Sequence, residues 1–116
     1  MPSDPGIDSS DLSFATSKLS ALLGEVRKTV EVRIFAPKRD DENTHICTYE
    51  IFVDDMFERK SYALGNDGVQ ALLLALWKVE IDLQHMSPFK EMVFDIDDQT
   101  GFGFIHAKRV WDSVYQ

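Results

Sequence analysis

From Thr29 to Leu64 the apolar residues keep largely to every second position; from Val69 to Leu83 they recur every third or fourth. A period of two is that of a half-buried strand, and a period near 3.6 is that of a helix. The switch requires a sheet joined to a long helix. In residues 29–36, Val30, Val32, Ile34 and Ala36 share one face, with Glu31, Arg33 and Phe35 on the other. Pro37 and the charged run 38–43 read as a loop. In residues 45–53, Cys47, Tyr49, Ile51 and Val53 share a face, and Ile46, Thr48, Glu50 and Phe52 lie opposite. Asp54-Asp55 makes a turn, and residues 57–64 form a third strand.

Upstream, Leu12, Ala15, Leu19, Leu22 and Leu23 fall at helical spacing, with Ser10 or Asp11 as N-cap and Gly24 at the C-cap. This predicts an N-terminal helix over roughly 11–23. Residues 1–10, with two prolines, a glycine and three serines, read as a disordered arm. Downstream, Ser87-Pro88 ends the long helix, predicted over about 67–85. Residues 91–96 and 101–106 form a short hairpin, and the tail AKRVWDSVYQ is either a helical turn or a docked extension. The expected architecture is one α+β domain over 11–116: an antiparallel β-meander of about five strands, packed by a long central helix, with an N-terminal helix.

Gly65-Asn66-Asp67-Gly68 before the long helix has the look of a phosphate loop. It has neither the G-x-x-x-x-G-K-[ST] nor the G-x-G-x-x-G pattern, and Asp67 would repel an anion. Asn66 or Asp67 fits better as the helix cap. Along the helix, Val69, Leu72, Leu73, Leu76, Val79 and Leu83 form the stripe expected on the sheet. Leu74, Trp77 and Ile81 form a second one, covered by the N-terminal helix or free for a partner. On the sheet, Phe35, Ile46 and Phe52 point away from the core face and are covered by the tail or by another molecule. The motif Gly65-x-Asp67-x-x-Gln70-Ala71-Leu72-x-x-Ala75-Leu76 resembles that of a family of small, uncharacterised bacterial proteins. The resemblance runs over about residues 29–106. It implies a helix on a meander of strands and brings no catalytic residues. Gln70 reads as a structural hydrogen-bonding group.

Chemistry-bearing residues are sparse. His45 and Cys47 share a strand, and His85 and His106 could complete a zinc site, but the spacing matches no closed zinc motif. Cys47 among apolar neighbours is a core thiol rather than a nucleophile. Asp95, Asp97 and Gln99 imitate a calcium loop, but Thr100 stands where glycine is needed and His106 where glutamate is needed. A hairpin turn is the better reading. Asp54, Asp55 and Glu58, with Asp40, Asp41 and Glu42, could form an acidic rim that steers a basic partner.

Twelve basic and twenty acidic residues give a net charge of −8. That balance argues against nucleic acid and anionic membranes as partners. The single cysteine fits a reducing cytoplasm; the start carries no signal-peptide pattern. The expectation is a small acidic protein-binding module without catalysis or cofactor, for instance an immunity protein neutralising a basic bacterial toxin. Its candidate contact residues are Phe35, Phe52, Asp54, Asp55, Glu58, Leu74, Trp77 and Ile81. The alternatives are a homodimeric scaffold or regulatory protein, and a metal-dependent enzyme.

Overall fold

The structure, a computed structural model, describes residues 13–96 and residue 102. The strands are β1 (Ser13–Leu23), β2 (Val26–Phe35), β3 (Lys38–Asp41), β4 (Thr44–Val53) and β5 (Met56–Gly65). The helix α1 (Gly68–His85), a 3-10 turn at Phe89–Glu91 and the short strand β6 (Val93–Phe94) follow. All pairings are antiparallel: β1 with β2, β2 with β4, β4 with β5, β3 with β4 and β1 with β6. β2 and β3 pair with the same edge of β4, because β5 occupies the other edge along its length. The helix lies on one face of this sheet, against β4 and β5.

The segment expected as an N-terminal helix is instead strand β1, so α1 is the one α-helix among the described residues. The same residues also satisfy a period of two. Ala21 is buried and Leu19 and Leu23 pack against the core on one face, while Phe14 is exposed on the other. Helical and strand spacing both fit a stretch this short, and pairing with β2 over ten positions decides between them. Gly24 ends the element as expected, but with φ +64 in the β1–β2 turn, not at a helix terminus. The charged run after Pro37 holds the four-residue edge strand β3, exposed throughout.

The core is formed by Val30, Val32 and Ile34 of β2 and Cys47, Tyr49, Ile51 and Val53 of β4. Their alternation is the one the sequence displays. Asp54 and Asp55 both have positive φ, at 49 and 68, as the two central residues of a tight hairpin turn require. The disordered arm, the second strand of the expected C-terminal hairpin and the tail fall outside the described residues.

The start of α1 is a reciprocal cap. Asp67 accepts a bond from the Gln70 backbone N–H at 2.8 Å, and the Gln70 side chain accepts one from the Asn66 N–H at 2.6 Å. Gly65 has a different reason to be glycine: a Cβ there would sit 2.4 Å from the backbone nitrogen of Ala71. The turn-like stretch is therefore a cap and a close approach of helix to strand.

Candidate functional site

Two stripes run along α1, each with members four residues apart. Ala71, Ala75, Val79 and Leu83 are buried against the sheet. Val69, Leu73, Trp77 and Ile81 are exposed by 69, 44, 49 and 50%. The two sets are offset by two residues, about 200° around the axis, so they occupy opposite sides. Val69 and Leu73, expected on the sheet, are therefore on the outer face. Leu72 and Leu76 are half-buried flanks of the core. Leu74 also packs against the core, whereas Trp77 and Ile81 remain outside.

A polar anchor fixes this rotation. Asp82 of α1 is 5% exposed. It accepts hydrogen bonds from the Tyr49 hydroxyl and, at 2.8 Å, from Arg59 Nε. Tyr49 is fully buried in β4, and Arg59 reaches in from β5. Burial, then the bond to Asp82, pushes the Tyr49 hydroxyl up to about 12. Its own hydrogen bond to Asp82 holds Arg59 above its ordinary value. A carboxylate taken out of water needs such partners, and only this rotation supplies them. Lys78 adds a staple, donating to Ser61 Oγ at 3.0 Å and to the Tyr62 carbonyl at 2.7 Å. Sequence reading missed this anchor. Its one visible signal was Asp82 standing within the apolar run.

The acidic residues form two groups, not one rim. Asp40, Asp41 and Glu42 lie at the start of β4, and Asp54 and Asp55 at its end, with Glu58 just beyond. Ten residues of strand, at about 3.3 Å each, separate them. Because α1 runs antiparallel to β5, its first turn lies beside Gly65 and its last beside Arg59. The two acidic groups thus stand at the two ends of the outward stripe. Asp54 is committed internally. It accepts from the Thr29 N–H at 2.9 Å and pairs with Lys28 at 3.4 Å, contacts that hold its carboxyl below the usual range. Asp55 and Glu58 remain exposed.

The two phenylalanines proposed for a contact lie on the sheet face away from α1, in separate settings. Phe52 packs edge-on against Phe57 at 5.8 Å, with the Arg33 guanidinium 4.2 Å over its ring. Phe35 borders a cavity with Pro37, Ile46 and Thr48.

The metal constellation is dispersed. Cys47 is buried and its thiol lies 3.3 Å from the Phe35 carbonyl; burial pushes the thiol up. His45 lies at the end of the sheet beside the start of α1, and His85 ends that helix. Among the described residues no group of three metal-ligating side chains comes together. His106 and most of the calcium-like loop lie outside them. Among the described residues no helix is long and apolar enough to cross a membrane.

The sequence pattern of the domain of unknown function DUF6968 matches residues 15–106. The match begins inside β1, so it takes in the first hairpin along with the strands and helix expected from residue 29 onward. No curated protein and no solved structure matches the chain. The chain therefore belongs to the DUF6968 family, a domain whose function is unknown.

Proposed function

We propose that this protein is a binding module without catalytic activity, that its contact surface is the outward stripe of α1, and that its partner is a basic protein. One observation carries this reading: Val69, Leu73, Trp77 and Ile81 stand in line on the helix side turned away from the sheet, each more than two-fifths exposed. A monomer gains nothing from four large apolar side chains in water, and an aligned patch of this kind is how a helix engages a groove or another helix. A stripe from Val69 to Ile81 is about 18 Å long at the helical rise per residue.

The charge of the chain supports a basic occupant. The net charge is −8, and exposed carboxylates stand at both ends of the stripe. Such charges speed encounter with a positive surface while the apolar stripe holds the complex. A toxin-neutralising protein of the bacterial cytoplasm is the most specific form of this reading. A basic nuclease would be drawn to the acidic ends and its surface covered by the helix.

A second reading has its own support. None of the four side chains in the stripe is charged, so the same stripe from a second copy could pack on it about a twofold axis. Capture from the source cells with wild type and with Leu73→Glu/Trp77→Glu, at low and high salt, separates the two. The basic-partner reading predicts one dominant basic protein, absent with the variant and weakened by salt. The dimer reading predicts recovery of the chain alone, with light scattering giving a dimer for wild type and a monomer for the variant. Equal capture by both proteins would overturn the placement of the contact on α1.

A further inference from the structure

The sheet face away from α1 carries a cavity that the α1 contact does not use. Between β2 and β3 the ladder to β4 slips: Ile34 lies opposite Tyr49, but Lys38 lies opposite Ile46. Ala36 and Pro37 occupy the break, and proline has no N–H to offer a ladder. The interruption borders a cavity of about 400 Å³. That volume is within the range of small-molecule sites. Phe35, Pro37 and Ile46 give it apolar walls. Thr48 and Glu50 line it along β4, and Lys38 and Lys60 bring two ammonium groups.

Glu50 is the side chain that needs explaining. It is 7% exposed, yet among the described residues it has no hydrogen-bond or ion-pair partner. Register places Arg33 on one side of it and Lys60 on the other. Arg33 is taken by Glu31 and by the Phe52 ring. Lys60 makes no ion pair among the described residues. Its carboxylate is uncommitted at the wall of the cavity, and a ligand that brings a cation there gives it a charge-assisted partner.

The charges of the cavity narrow the ligand further. A simple cation would satisfy Glu50 but would meet both lysines. A simple anion would satisfy the lysines but would leave Glu50 uncompensated and be repelled by it. We infer that the cavity binds a small zwitterion with an apolar body, of the class of α-amino acids with apolar side chains. The ammonium group pairs with Glu50 and the adjacent carboxylate with Lys60, its neighbour across the β4–β5 ladder. The apolar side chain then runs past Thr48 over Phe35 and Ile46. Lys38, opposite Ile46, closes the far end with its aliphatic stem. The site is on the opposite face from the α1 stripe, so it stands whether or not that stripe binds a protein.

Calorimetric titration of the full chain tests this, with L-phenylalanine, L-leucine, phenethylamine and 3-phenylpropionate as probes. At least one amino acid should bind, and more tightly by about tenfold than the amine or the acid alone. Glu50→Gln and Lys60→Met should each weaken it by about tenfold or more. Circular dichroism of both variants checks that the fold is kept. No binding of either amino acid at millimolar concentration would overturn the inference. So would undiminished binding in Glu50→Gln, or amine binding as tight as that of the amino acid and indifferent to Lys60→Met.

Discussion

Tyr49, Asp82 and Arg59 show how one acidic residue can set the orientation of a helix. Asp82 lies buried between the Tyr49 hydroxyl and the Arg59 guanidinium. Removing the hydroxyl with Tyr49→Phe should cost about 1–3 kcal/mol, since Asp82 keeps Arg59 but loses a buried donor. The pH dependence follows from the raised value. Tyr49 moves from 10.0 to about 12. Its folded value lies above its unfolded one, so its contribution is fully present below pH 10 and is lost as the pH rises towards 12. Denaturant unfolding at a series of alkaline pH values should therefore fall off more steeply in wild type than in Tyr49→Phe. Parallel slopes would mean that Tyr49 is not held by burial and by Asp82. Little of this was legible in the sequence, because the alternation that puts Tyr49 in the core does not say what its hydroxyl touches. Glu50 was equally silent. The pattern put it on the outward face, where a glutamate is expected to be exposed, but between Arg33 and Lys60 in the ladder the residue is 7% exposed.

At the scale of the elements, the strands were legible where one face is buried and the other is not. β2 alternates cleanly, β4 does so apart from the buried Glu50, and Asp54-Asp55 marks the turn between β4 and β5. β1 was not, because a run of small and polar residues with a few leucines fits both periods. Its strand state comes from pairing with β2 and β6, partners that no local pattern contains. α1 was legible in extent but not in rotation. Its two apolar stripes are on opposite sides, and the sheet takes the one with two alanines. The small side chains let the helix approach the large core residues of β4, and Asp82 completes the choice. The cap was legible in outline, with Asp67 at the N-cap and Gln70 answering it. Asp67→Ala should cost about 1 kcal/mol, measured by chemical denaturation, because it removes the acceptor of the Gln70 N–H and a favourable charge at the helix start. A loss well below that would mean that water or Gln70 replaces the cap.

For the molecule as a whole, the sheet, the helix and the charges have separate tasks. The sheet and the inner side of α1 make the core. The outer side of α1 offers an apolar contact about one helix long. Carboxylates gather at the two ends of that contact, where Asp55 and Glu58 are free to act at a distance while Asp54 secures the β4–β5 turn to Thr29. Charge reversal belongs at Asp55 and Glu58 for this reason, since Asp54→Lys would break the fold's own contacts. The acidic excess was plain in the composition, but its division between two ends was not, because it follows from the register of β4 and the direction of α1. The central claim is that the outward stripe of α1 is covered when the protein acts, and Trp77 reports on it directly. The chain has two tryptophans, so Trp111→Phe leaves Trp77 alone. Its fluorescence should be followed as the protein is concentrated and then as the captured partner is added. The account predicts a shift to shorter wavelength and loss of access to a soluble quencher on complex formation. An unchanged Trp77 in a formed complex would contradict it and move the contact to the other face of the sheet.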